Sequence, residues 1–265
     1  MSRAKTVLAF MLAALALAAV AHAELPSGIS RPDDERGLSQ QELGAQLYAG
    51  NCASCHGIAG RGVPEPTPIR GAGDVKGQGP PLAGVGAQAA DLYLTTGFMP
   101  LQDPHQQPWR RRVEFTKKEI DAITQYVAGL APGPAIPHPD PGAGNVSAGM
   151  RLFVDHCAGC HQAVAEGGYV PNARVPLIKE DSATQIAEAV RVGPYLMPTF
   201  SRRQISDRQL NSIIAYINAS KRPDDAGGWG IGHVGPVPEG LIAWLIAGVA
   251  LVGLCMLIGD RLRRT

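Results

Sequence analysis

The segment Cys52-Ala53-Ser54-Cys55-His56 recurs 105 residues later as Cys157-Ala158-Gly159-Cys160-His161. A CxxCH pentad is the attachment signal for a c-type haem. Two thiols about one helical turn apart add to the two vinyl groups of one porphyrin, and the next residue, histidine, can bind the iron through an imidazole nitrogen. A chain carrying two such pentads must build its folded parts around two flat, largely apolar rings. A CxxC pair alone could also be a redox dithiol or half of a zinc site. Here each pair is followed at once by histidine. Of the five cysteines, the only one outside the pentads is Cys255, in an apolar run, so no second pair remains to complete a zinc tetrad or a disulfide framework.

The pentads anchor an internal repeat. Upstream, Gly44, Tyr48 and Cys52 are matched by Gly149, Phe153 and Cys157. Steps of four put each trio on one helix face, with glycine permitting close approach by another helix. Downstream, Thr116 to Glu119 and Ser206 to Gln209 read as capping boxes. They open helices with one pattern, Ile120, Ile123, Tyr126 and Val127 in the first copy and Leu210, Ile213, Tyr216 and Ile217 in the second. The offset falls from 105 at the pentads to 90 in these helices, so the first copy is 15 residues longer in between. Each copy therefore reads as helix, CxxCH, Gly/Pro-rich loop, short helix, Met-Pro and final helix. Between the copies, Ala131 to Asn145 holds five prolines and three glycines, which predicts an extended, stiff linker.

An electron-carrying haem needs a second axial ligand, for which methionine thioether is suited. Met1 and Met11 lie in the N-terminal apolar segment, Met256 in the C-terminal one, and Met150 at an expected core position. Met99 and Met197 remain, each followed by proline, 43 and 36 residues after its pentad histidine. Proline stiffens the loop that presents the sulfur. The expected iron ligands are thus His56 with Met99 and His161 with Met197, and the expected covalent attachments are Cys52, Cys55, Cys157 and Cys160. His22, His105, His138, His156 and His233 are expected to be bystanders, with His156 facing away from the ring.

Both ends are apolar. Arg3 and Lys5 precede Val7 to Val20 and then Ala21-His22-Ala23, the pattern of a secretory signal cleaved after Ala23 or of an N-terminal anchor. Leu241 to Ile258 is an uncharged run of 18 residues followed by Arg261, Arg263 and Arg264. That length reaches the lower limit for a membrane helix, with Trp244 as an interface anchor. The positive-inside rule puts the C-terminus in the cytoplasm and everything before Leu241 on the outer side. Without these ends the chain has 19 basic and 22 acidic residues, about −3, and nothing in it suggests nucleic-acid binding. No nucleophile–base pair, Gly-rich phosphate loop or paired-carboxylate motif is evident.

Each half resembles a class I cytochrome c domain, over about 39–131 and 147–222. The resemblance implies an all-α fold of two tandem class I cytochrome c domains plus a C-terminal transmembrane helix, holding two covalently bound haem c groups. The expected layout is 1–23 leader or anchor, 39–131 first domain, 132–146 linker, 147–222 second domain, 223–240 neck and 241–259 span. In class I cytochromes a Gly-Pro-x-Leu segment supplies the carbonyl that orients the haem histidine. Gly79-Pro80-Pro81-Leu82 matches it, which implies Pro80 as acceptor for His56. Arg174-Val175-Pro176-Leu177 lacks the Gly-Pro and leaves Val175 as the candidate for His161. The neck Gly227-Gly228-Trp229-Gly230-Ile231-Gly232-His233-Val234-Gly235-Pro236-Val237-Pro238-Glu239-Gly240 resembles the juxtamembrane segment of the dihaem cytochrome c subunit (cytochrome cc) of the actinobacterial menaquinol–cytochrome c reductase, a bc1-type complex. That likeness implies an electron-transfer subunit with no catalytic site beyond its haems. Its implied partners are cytochrome b, a Rieske iron–sulfur protein and an aa3-type cytochrome c oxidase, with the His56/Met99 haem receiving and the His161/Met197 haem delivering. The residues leave open a membrane-tethered dihaem carrier for another dehydrogenase or oxidase. A dihaem peroxidase or sensor would need an open iron site, which two methionine candidates disfavour.

Overall fold

The computed structural model describes residues 28–62, 79–101, 108–171, 173–221 and 236–264. The leader, most of the neck, His22, His105 and His233 lie outside these residues. The chain divides into two units, residues 1–217 and 218–265.

In the first copy, α1 (Gln40–Asn51) leads through Cys52 into the short helix α2 (Ala53–His56) that carries the pentad. The helices α3 (Gly86–Thr95) and α4 (Lys117–Ala128) follow. The second copy repeats this with α5 (Val146–His156), α6 (Ala158–His161), α7 (Ala183–Val192) and α8 (Asp207–Ser220). The helices start where their side chains satisfy the free backbone N–H groups. Ser39, Thr116 and Ser182 form complete capping boxes with Glu42, Glu119 and Gln185. At the start of α8, Ser206 N–H donates to Gln209 and Gln209 N–H donates to Ser206 Oγ.

Each half is closed by its first and last helices crossing at a glycine. A Cβ on Gly44 would lie 2.1 Å from the Ala122 carbonyl oxygen, and one on Gly149 would lie 1.8 Å from that of Ser212. One turn on, Tyr48 meets Tyr126 with ring centroids 5.0 Å apart, and Phe153 meets Tyr216 at 5.4 Å. The repeat expected from the fours-spaced glycine and aromatic is therefore a pair of equivalent helix crossings. Two cores form beside them, one with Leu43, Leu47, Ile120 and Ile123, the other with Phe153, Ile186, Ile213 and Ile217.

The structure adds one element to the sequence reading and turns Met150 and His156 otherwise than expected. The fold is mostly helical, as the all-α class implies, and the loop after the second pentad adds one short antiparallel hairpin, β1 (Gly168–Val170) and β2 (Ala173–Val175). Met150 is not core but 52% exposed, because Gly149 and Phe153 take the inward face of α5 and turn Met150 outward with Val146 and Val154. His156 is not turned from the ring site, since its imidazole packs edge-on to Phe200 at 6.0 Å and lines the cavity that holds His161.

The halves also pack on each other. Helix α3 lies against α7, Gln88 Nε2 donates to the Glu188 carbonyl at 3.4 Å, and Gln185 Nε2 donates to the Thr95 carbonyl at 3.3 Å. The Glu188 carboxyl is fully buried there beside the Asp91 carboxyl. Burial pushes its pKa up to about 9, and the charge of Asp91 adds to the rise. The proline-rich linker runs without regular structure from Pro132, accepting from Gln88 N–H through the Pro134 carbonyl, and ends in a 3-10 turn at Pro141–Ala143.

The second unit contains α9 (Pro236–Arg264), whose apolar side chains, among them Trp244, Val249, Leu251 and Met256, are exposed. Its 29 residues make a rod of about 44 Å, long enough for a bilayer core of about 30 Å. Residues 240–264 of it are apolar enough to cross a membrane.

Candidate haem sites

The pentad backbone is built the same way twice. Cys52 and Cys157 each close the preceding helix, their N–H donating to Tyr48 and Phe153 carbonyls at 2.8 Å. The next turn starts at once, His56 and His161 N–H donating to the Cys52 and Cys157 carbonyls at 2.9 Å. The two cysteines and the histidine thus share one turn. Burial pushes the Cys52 thiol up to about 12 and the Cys157 thiol up to about 11, with the second cysteine of each pair adding to the rise. A redox-active dithiol needs the opposite, a thiolate stabilised near neutral pH. The environment suits apolar contact with a ring.

Each histidine is oriented by a proline carbonyl. His56 Nδ1 lies 2.9 Å from the Pro80 oxygen, the acceptor expected from the Gly-Pro segment. Gly79 is needed there: a Cβ would lie 2.5 Å from the Cys55 oxygen and 2.8 Å from His56 Nδ1. In the second copy His161 Nδ1 lies 3.4 Å from the Pro176 oxygen, so Pro176 replaces the expected Val175. Val175 is instead paired with Gly168 in the hairpin, and the next carbonyl along reaches the ring. The needed glycine is Gly167, with φ at +70°, whose N–H donates to the His161 carbonyl at 3.1 Å and whose Cβ would strike the Pro176 oxygen at 2.5 Å. Its counterpart 105 residues earlier, Gly62, likewise donates to the His56 carbonyl, at 2.7 Å. That spacing was readable in the sequence. With Nδ1 engaged, Nε2 is the nitrogen left for a metal. Burial lowers the pKa of His161, which favours the neutral ring a metal requires, while the Pro176 carbonyl pulls the other way.

Met197 is held by a tight corner. Gly193, left-handed at φ +65°, ends α7, and Phe200 N–H donates back to Val190 at 2.9 Å while Thr199 Oγ1 donates to Val192 at 3.0 Å. Met197 then packs against the second core and lines one cavity of about 340 Å³ together with Cys157, Cys160 and His161. Met99 occupies the matching position: its N–H donates to the Tyr93 carbonyl at 3.0 Å and it packs against the first core, as do Cys52 and Leu82. Residues 63–78 of the first copy lie outside the described residues.

These residues fit a haem. The second cavity is apolar, within the size range of small-molecule sites, and joins two cysteines, an oriented histidine and a methionine on one surface. Its wall also includes Leu92, Thr96, Phe98 and Arg110 of the first copy, which sequence reasoning did not assign to it. Only the longer first copy hinted at them.

Comparison with known proteins agrees with this architecture. Residues 41–131 match the family model for cytochrome c, and residues 144–217 match that for cytochrome c oxidase, cbb3-type, subunit III. The cytochrome bc1 complex cytochrome c subunit of Mycobacterium tuberculosis is 34% identical over 237 residues, covering 86% of this chain and 80% of the relative. That of Corynebacterium diphtheriae is 32% identical over 246 residues, covering 86% and 83%. A cbb3-type cytochrome c oxidase subunit CcoP from Azospirillum is 27% identical over 198 residues, covering 66% of this chain and 60% of the relative. With two cytochrome c domains, an apolar C-terminal helix and this likeness along most of its length, the chain belongs to the family of cytochrome bc1 complex cytochrome c subunits.

Proposed function

We propose that this chain is the dihaem electron-carrying subunit of a quinol–cytochrome c reductase, tethered by α9 with its haem domains on the outer side of the cell membrane. It takes electrons from a Rieske iron–sulfur protein held beside cytochrome b and passes them through two haems to an aa3-type oxidase. The observation that carries the reading is the duplicated site: two pentads, each with a histidine fixed by a proline carbonyl and a methionine in a stiffened loop, packed into one unit. When bound, each haem c supplies a one-electron iron couple. The two cysteines of each copy would hold a ring, Pro80 or Pro176 sets the imidazole of His56 or His161, and Met99 or Met197 would offer its thioether to the iron, which would keep small molecules off it and favour the reduced state. The apolar walls limit reorganisation of water around the charge change. In this reading the haem at His56 and Met99 receives and that at His161 and Met197 delivers.

The test is purification of a tagged chain from solubilised native membranes. Cytochrome b, the Rieske protein and oxidase subunits are expected to co-purify. Recovery of the chain without cytochrome b and the Rieske protein refutes the reductase assignment. Recovery with oxidase subunits alone supports a tethered carrier that serves an oxidase directly, the reading favoured by the cbb3-type match of residues 144–217.

A further inference from the structure

The extra length of the first copy has a place in the fold. Seven of its 15 additional residues lie between the pentad histidine and Met99, and the other eight between Met99 and the cap at Thr116. The second of these segments crosses to the other half, where Pro108 and Arg110 line the cavity that contains Cys157, Cys160, His161 and Met197. The crossing is pinned at its root. Gly97 has φ at +69°, and a Cβ there would lie 2.2 Å from the Arg111 carbonyl oxygen, so the two strands of the loop touch backbone to backbone. The Arg111 guanidinium lies 4.6 Å from the Trp109 ring centroid. Arg110 Nη1 then donates to the Leu177 carbonyl at 3.2 Å, one residue after the Pro176 that orients His161, and to Asp181 in the following turn.

Beside the apolar cavity is a second one, also about 340 Å³ and far more polar, which shares Phe98, Arg110, Arg174, Val175 and Pro176 with it. Two arginines face this space, together with Glu166, which is ion-paired to Lys179 at 2.8 Å. A haem is amphipathic in the same sense: an apolar disc with two carboxylates on one edge. Arginine's planar fork matches a carboxylate. On the dihaem reading above, we propose that Arg110, carried by the first copy's extra loop, belongs to the second haem's pocket, where with Arg174 it binds that haem's carboxylate edge. The first domain thereby sets the potential of the haem in the second. A cation there opposes the charge gained on oxidation and so raises the midpoint.

The test uses the full chain in detergent, with haem counted by pyridine haemochrome and midpoints resolved by optical redox titration. Met99→Leu and Met197→Leu assign each midpoint to its haem. Arg110→Gln is expected to lower the second haem's midpoint and leave the first unchanged, and Arg110→Lys is expected to restore most of the shift. Arg174 is exposed on β2, so Arg174→Gln carries little risk to folding and should lower the same midpoint. The Asp181→Asn background separates binding from ion pairing: Arg110→Gln must still lower the midpoint there. If it does not, or if neither arginine variant moves the second midpoint, the inference is overturned while the two-haem reading stands. Fewer than two haems per wild-type chain refutes that reading itself.

Discussion

Gly149→Ala probes the helix crossing on which the second half depends. The added Cβ would sit 1.8 Å from the Ser212 carbonyl oxygen, 2.5 Å from its carbon and 3.0 Å from Tyr216 Cβ. A carbon–oxygen contact needs about 3.3 Å, so α5 and α8 must part by roughly 1.5 Å, and no side-chain rotation relieves a clash with backbone. Overpacking of this kind costs about 1–3 kcal/mol, and separating Phe153 from Tyr216 adds about 0.5–1.5 kcal/mol. Alanine's better helix propensity offsets about 1 kcal/mol. The net loss is about 2 kcal/mol, or roughly 4–8 °C for a unit of this size. Urea denaturation of the detergent-solubilised chain, followed by far-UV circular dichroism, measures it. Gly159→Ala is the control, because a Cβ at that exposed position meets nothing within 4 Å and should be neutral. An unchanged or raised midpoint for Gly149→Ala, with an unchanged denaturant slope, would refute the crossing.

Other outcomes follow from the same packing. Glu188→Gln should stabilise the protein increasingly as pH rises from the ordinary glutamate range to about 9, and most above it. The folded-state pKa is raised to about 9, so stability held below the ordinary glutamate range is lost as pH rises toward that value, and the amide removes this slope in a pH series of urea midpoints. Glu119 has the opposite sign: burial raises its pKa, but hydrogen bonds from Arg31 and Thr116 outweigh this and leave it lowered. Its contribution is present above the unfolded value of 4.5 and lost as pH falls through the lower folded value. Arg31→Ala should cost about 1–3 kcal/mol at neutral pH, since Glu119 is buried and its closest ion-pair contact is the Arg31 Nε at 2.6 Å, and should flatten the acid limb of the stability curve. Met99→Leu and Met197→Leu should each remove about half of the long-wavelength charge-transfer band of sulfur-ligated ferric haem. The reduced wild-type chain should bind carbon monoxide poorly; tight binding at either iron would point to a peroxidase or sensor.

What was readable in the sequence was local. Pentads, capping boxes and glycine–aromatic steps are written within one helix or turn, so the helix order and the equivalent crossings followed from them. What depends on contact between distant segments was not. Pro176 rather than Val175 meets His161 because a hairpin, formed by two three-residue strands with no strong alternation, takes up Val175. Met150 is apolar and adjacent to the key glycine, yet lies on the other side of α5. Glu188 is buried in α7 where that helix also meets α3 of the other half, a contact between segments far apart in sequence. Arg110 had no local mark at all beyond the greater length of its copy.

The central claim, that two haems in this chain carry quinol-derived electrons, is tested most directly by rapid mixing. The purified complex, oxidised and with the oxidase inhibited, is mixed with quinol while c-type haem absorbance is followed and haem c per chain is counted. The account predicts reduction of two haems c per chain, with Met197→Leu altering the second without abolishing reduction of the first. Quinol oxidation that leaves these haems oxidised, or a single reducible haem per chain, would contradict it.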